Sequence, residues 1–429
     1  MLSRPRQNLY NTPMRISASL SALLIATFAL TISGCETTEK ALTAAGRVTR
    51  GQTGQAIIDL ASGKDPAQIA KRRLDQYARD PEALVRDLRE AKKDFEAILA
   101  VLGVNVGKTW GKKEVQLPER KKYVKYTQNY KSRAIVDFDS AEILVETLDD
   151  QDPQKSLKNA IVTTLLTPQD PRSVDLFSDK EIVLTDDKEP YLFGLVLDQR
   201  NKPIRSPEEA EPFAAYLLEK KYATRVVDQD GTKKTVHYAT MAMVTNLPMK
   251  QAEKYRTLVH QFAQQYNISP SLVFAVIRTE SNFNPYAVSS APAYGLMQLV
   301  PTSGGREAYR KAKGQDVIPS RDYLFDPENN VELGTAFLNV LMFNQLEAVD
   351  HNVSREYCVI AAYNTGAGNV FRTFSRDRTT AVNQINSLQP AGVYDQLRKN
   401  LPYEETRHYL EKVTGYRKSF ISSSEKSNE

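Results

Sequence analysis

Apolar and polar positions change period three times along this 429-residue chain, and each change predicts a different kind of structure. Residues 1–35 hold one apolar run, about Ile16 to Ile32, broken only by Ser and Thr and preceded by Arg4, Arg6 and Arg15. From Glu36 to about Leu117, Ala, Lys, Asp and Glu dominate. Leu84, Val85, Leu88, Phe95, Ile98 and Leu99 fall at helical spacing, which predicts a tether followed by one long helix. A period of two follows. Tyr123, Lys125 and Thr127 alternate with Val124 and Tyr126, and β-rich runs around Ile135 to Phe138 and Ile143 to Thr147 flank Asp139-Ser140-Ala141, predicting a hairpin or meander. Asp152-Pro153 then caps a helix with a face of Leu157, Ala160, Ile161 and Leu165. Tyr191 to Leu197 reads as a buried strand, and Phe213, Ala214, Leu217 and Leu218 as a helix. Asp230-Gly231 reads as a turn between strands at Arg225–Val227 and Lys234–Val244. Residues 119–245 are thus expected to form a small α+β domain.

Beyond Pro248 the strand signals stop. Tyr255, Leu258, Val259, Phe262 and Tyr266 form one stripe, Ser269-Pro270 opens the next helix, and Asp326-Pro327 opens a third running to about Leu346. Tyr357 to Tyr363 lies on a fourth that stops near Gly366, and Glu404 to Tyr416 forms the last. The fold class is α+β, with an all-helical domain over 246–420.

Composition narrows the function. Lys and Arg number 57 against 52 Asp and Glu, a net charge of +5 with no basic stripe suited to a phosphate backbone, so no nucleic-acid partner is expected. Cys35, Cys358 and four histidines show no CxxC or HExxH spacing, so no metal and no cofactor is expected. The apolar run ends in Ile32-Ser33-Gly34-Cys35, which resembles the bacterial lipobox. Residues 1–34 then form a lipoprotein signal peptide, Cys35 is the acylated first residue of the mature protein, and 35–118 are tether and helix. Glu36 after the cysteine resembles the pattern of lipoproteins sent to the outer membrane, so the expected location is the outer membrane, lipid-anchored and facing the periplasm. The basic run Lys112, Lys113, Arg120, Lys121, Lys122, Lys125, Lys131 and Arg133 reads as a solvated face, the alternative being a surface for the carboxylates of an acidic ligand.

The chemistry-bearing position is Glu280. On the helix opened by Ser269-Pro270 it continues the stripe of Val273, Val276 and Ile277, so a carboxyl falls on the buried face. Pro285 forces the helix to stop soon after, leaving Glu280 in the last turn. Burial and the helix dipole both disfavour its charge and raise its pKa, as a general acid near neutral pH requires; a Glu paired with a basic residue or capping a backbone amide would fit the same pattern.

Four segments in order widen the picture: Glu280-Ser281-Asn282-Phe283-Asn284-Pro285, then Gly295-Leu296-Met297-Gln298-Leu299, then Ala361-Ala362-Tyr363-Asn364-Thr365-Gly366, then Leu401-Pro402-Tyr403-Glu404-Glu405-Thr406-Arg407-His408-Tyr409. Their order and spacing over about 250–420 resemble the soluble-lytic-transglycosylase family, relatives of goose-type lysozyme. The resemblance implies a lysozyme-like catalytic domain acting on peptidoglycan glycan strands. It implies Glu280 as the single acid/base, Ser289 as a donor near the reacting sugar, Met297 and Gln298 lining the groove, Tyr363 near the carboxyl and Glu405 as a groove residue. Met297 equally suits a core position, Tyr363 a helix interface and Glu405 a solvated face. Pro292 and Thr365 depart from the family's pattern, which has an Ala/Gly-rich turn at the first place and often a glycine at the second. The implied reaction cleaves the β-1,4 bond between N-acetylmuramate and N-acetylglucosamine and leaves 1,6-anhydromuramyl ends. The alternatives are a hydrolytic muramidase and a non-catalytic peptidoglycan-binding lipoprotein. No protein partner is indicated, and the helical domain from about Met249 is expected to lyse murein by itself.

Overall fold

The computed structural model describes residues 81–184, 189–289 and 292–421, with side chains from 95 onward. The signal segment, Cys35 and the tether to residue 80 lie outside the described residues, as do Ser290 and Ala291. Residues Glu96–Glu429 form one compact unit; of the other, Met1–Phe95, only the opening of the first described helix is seen.

That helix, α1 (Pro81–Trp110), is the predicted long one, and a 3-10 turn at Lys112–Glu114 follows it. The alternating segment folds as a meander of β1 (Lys122–Thr127), β2 (Ser132–Asp137) and β3 (Glu142–Thr147), antiparallel with Val124 opposite Ile135 and Val136 opposite Ile143. Asp137 closes the second turn by accepting from the backbone N–H groups of Asp139 and Ser140. α2 (Pro153–Leu165) starts at the Asp152 cap, whose side chain accepts from Lys155 N–H, and buries Leu157, Ala160, Ile161 and Leu165 as the spacing requires. α3 (Pro207–Lys220) carries Phe213, Ala214 and Leu217 on its buried face. β4 (Ala223–Gln229) and β5 (Thr232–Ala242) form the hairpin around Asp230-Gly231, both with positive φ, and β5 pairs with β3 to give the order β1-β2-β3-β5-β4.

The sheet is covered on both faces. Leu102, Val106 and Trp110 of α1 pack on Val124, Tyr126, Val227 and Val236, while α2 lies over β2, β3 and β5.

Two expectations fail here. Tyr191, Leu192, Leu195 and Val196 are buried, but Tyr191 to Leu197 is no strand: Gly194 has φ +71°, and short-range bonds such as Leu195 N–H to the Leu192 carbonyl turn the chain on itself. Nor is the basic run one solvated face. Lys125 is buried, donating to the Ser178 carbonyl at 2.9 Å, and Arg133 is buried over the Trp110 ring, bonded to Glu146 at 2.6 Å. Double coverage of the sheet is the reason, since alternation then decides only which helix a side chain meets.

From Leu247 on, the described chain is helical apart from isolated bridges around Tyr294. α4 (Leu247–Lys254), α5 (Arg256–Gln265) and α6 (Pro270–Ser281) come first. α7 (Arg306–Lys313) and α8 (Arg321–Phe325) are short and were not foreseen. α9 (Pro327–Val340), capped by Asp326, runs on through a π turn to Gln345, close to the expected end. α10 (Asn352–Thr365) stops at Gly366 as read; α11 (Ala367–Phe374), α12 (Arg378–Ser387) and α13 (Pro390–Asn400) are further unforeseen helices; α14 (Glu404–Phe420) closes the fold against α6 and α10.

Candidate active site

Almost every residue of α6 is buried, including Glu280, which is 5% exposed. The helix ends one residue later because Asn282 enters the left-handed region at φ 47° and Phe283 follows at φ 62°. That double turn is clamped to the sheet region. Asn282 Nδ2 donates to the Phe138 carbonyl at 2.6 Å, Asn284 Nδ2 to the Arg120 carbonyl at 3.1 Å, and the Tyr191 hydroxyl to the Phe283 carbonyl at 3.0 Å. The Tyr286 hydroxyl also donates to the Pro168 carbonyl, and its ring meets those of Tyr123 and Tyr191 edge-on.

Glu280 opens into a groove of about 800 Å³. Burial pushes its carboxyl up to about 7; the neighbouring Tyr409 hydroxyl and Arg120 guanidinium pull the other way, and Glu405 adds to the rise. The Tyr409 hydroxyl adjoins the carboxyl without reaching good hydrogen-bond geometry. Arg120 Nη1 stands 3.7 Å from Glu280 Oε2, and its Nη2 bonds Glu405 Oε1 at 2.9 Å.

Ser289, Gln298, Tyr363 and Glu405 all line this groove with Glu280. Ser289 Oγ accepts from Ala293 N–H at 3.3 Å. Gln298, at φ 49°, sends Nε2 to the Ala287 and Gly295 carbonyls, so it stiffens the turn behind the groove. Tyr363 donates to the Met297 carbonyl at 2.9 Å. Met297 differs from the reading as a groove residue. It is fully buried, its N–H donates to Asn330 Oδ1, and a Cβ at Gly334 would collide with its sulfur. Its side chain fills core, and only its carbonyl is used by a groove residue.

Two residues at the site escaped sequence reasoning. Tyr409 lies four positions after Glu405 on α14, one helical turn along the same face, so spacing within the fourth motif was the available signal. Arg120 had none, for it sits in a loop before β1 within a run that looks solvated. Thr406 binds α14 back to the third motif, donating to Asn364 Oδ1 at 2.6 Å.

Residues 257–386, which carry the buried Glu280 and much of the groove it opens into, match the transglycosylase SLT domain. Residues 85–254 match the N-terminal domain of membrane-bound lytic murein transglycosylase C. The chain is 42% identical over 339 residues to the membrane-bound lytic murein transglycosylase C of Serratia proteamaculans, covering 79% of this chain and 92% of that one. To that of Klebsiella pneumoniae it is 43% identical, covering 79% and 91%. The solved lytic transglycosylase Slt of Pseudomonas aeruginosa is a partial likeness, with 28% identity, 38% of this chain, 23% of that chain and a TM-score of 0.31. The chain belongs to the membrane-bound lytic murein transglycosylase C family. It is an enzyme, a lytic transglycosylase with peptidoglycan as substrate.

Proposed function

We propose that Glu280 alone serves as acid and then base in non-hydrolytic cleavage of the β-1,4 bond between N-acetylmuramate and N-acetylglucosamine. Protonated Glu280 gives its proton to the glycosidic oxygen as the bond from the muramyl C1 breaks. The resulting carboxylate takes the proton of the muramate 6-hydroxyl while that oxygen bonds to C1. The proton is returned, no water is consumed, and the product carries a 1,6-anhydro ring. The observation that carries this reading is the state of the groove carboxyls. Glu280 is buried and holds its proton near neutrality, whereas Glu405 is 65% exposed and bound to Arg120, and Glu307 accepts from Gln345 Nε2 at 2.7 Å. A two-carboxylate hydrolase needs a second free carboxylate across the bond. Ser289 is read as a donor toward the sugar, Gln298 and Tyr363 as the wall that shapes the groove, and residues 246–420 as the catalytic domain. Digestion of purified sacculi with mass analysis tests the reaction: anhydro ends are expected, reducing ends would mean a muramidase, and no fragments a binding protein.

The same reading extends to location, where the enzyme remodels the cell wall from a lipid anchor at Cys35 in the outer membrane. Among the described residues no helix is long and apolar enough to cross a membrane. Cys35→Ala should abolish palmitate labelling and leave an unprocessed or mislocalised precursor; unchanged labelling and membrane recovery would exclude the anchor.

A further inference from the structure

We infer that Arg120, supplied by the loop ahead of β1, is a positioning residue of the active site, acting on Glu280 through its guanidinium and counterbalanced by Glu405. The inference rests on the reading of Glu280 as the acid/base. The guanidinium is shared between two carboxyls of one groove, 2.9 Å from Glu405 and 3.7 Å from Glu280. Its place is set from both sides, because the Arg120 carbonyl is held by Asn284, four residues after Glu280, while the fork reaches α14.

The charge logic follows from these distances. While Glu280 keeps its proton, Glu405 satisfies the cation. Once the proton has gone to the leaving oxygen, the new carboxylate lies beside a cation already in position rather than in apolar surroundings. A closer pairing would make Glu280 too weak a base to recover the proton, and the competing bond to Glu405 guards against that. The other groups facing Glu280 are Lys121, which is engaged by Asp139 at 3.1 Å, Tyr409 on α14 and Tyr363 on α10. Among them Arg120 is the cation nearest the carboxyl.

The two partners therefore act on Glu280 with opposite sign. Arg120→Gln removes a positive charge, so Glu280 stays protonated to higher pH and the basic limb of the turnover profile moves up. Glu405→Gln removes a negative charge and frees the guanidinium for Glu280, so the limb moves down. With the Arg120 side chain 41% exposed, each shift should be about one pH unit or less and should shrink in high salt.

The experiment measures release of 1,6-anhydromuropeptides from saturating sacculi against pH, using the full chain in detergent, with Glu280→Gln as reference. Expected are an upward limb for Arg120→Gln, a limb near wild type for Arg120→Lys, and a downward limb for Glu405→Gln. Unmoved limbs, or shifts of the same sign in both Gln variants, overturn the inference while an inactive Glu280→Gln leaves the acid/base intact. Active Glu280→Gln removes the reading beneath it. If Arg120→Gln does not fold, Glu405→Gln still tests the charge logic, since its exposed side chain tolerates the change and an unmoved limb there overturns the inference.

Discussion

Glu280 links activity to stability through one proton. Its folded pKa of about 7 stands above the ordinary 4.5, so between those values the native state holds a proton that the unfolded chain has lost. Stability must therefore fall as pH rises through that window, by about 3 kcal/mol in all. Glu280→Gln cannot ionise and escapes this loss. It should match wild type in thermal melts near pH 4.5 and melt several degrees higher at pH 8, while release of anhydromuropeptides falls by about 10³-fold or more. Equal melting at pH 8 would mean that burial does not strain the carboxyl. A second residue-level case is Gly334 on α9, where an added Cβ would lie 2.8 Å from Met297 Cβ, a contact no rotamer relieves. Gly334→Ala should cost about 1–3 kcal/mol in denaturant melts and lower turnover by displacing the carbonyl that Tyr363 binds.

At the scale of elements, the decisive feature is how α6 ends. Asn282 does two jobs, adopting φ 47° and donating to the Phe138 carbonyl. Asn282→Gly keeps the backbone freedom and loses only the bond, about 1 kcal/mol; Asn282→Ala loses both, about 2–3 kcal/mol. Chemical denaturation of the two variants should rank them in that order, with turnover following, because Glu280 lies two residues upstream. Equal losses would place the cost in the side-chain bond alone. Caps, prolines at first helical positions and the Asp230-Gly231 hairpin were legible because each depends on neighbours within a few residues. α7, α8 and α11 to α13 are not legible in the sequence because packing rather than a long apolar stripe holds them.

For the whole molecule, the contacts of 282–286 with the sheet region bear on the expectation that the helical part acts alone. A fragment from Met249 would leave Asn282, Asn284 and Tyr286 without their partners at Phe138, Arg120 and Pro168, and would lack the guanidinium beside Glu280. It should melt below the full chain and release anhydromuropeptides at least about tenfold more slowly. Equal melting and turnover would show that the helical domain carries the site unaided.

What the sequence determined by itself was everything set by local spacing and by ordered motifs: the meander, the capped helices, Glu280 on a buried face near a helix end, and the family resemblance carried by four segments. Tertiary structure decided the rest. Arg120 and Glu405 are 285 residues apart, and no periodicity relates a loop before β1 to the first turn of α14. Met297 went to the core and Gln298 beside it to the groove, because one residue's shift along a turn reverses which way a side chain faces. Lys125 and Arg133 were buried because the sheet found a helix for each of its faces. Local pattern specifies what each segment can form, since those forces act within a turn or two of chain. Which charges meet across a groove depends on how the finished elements pack.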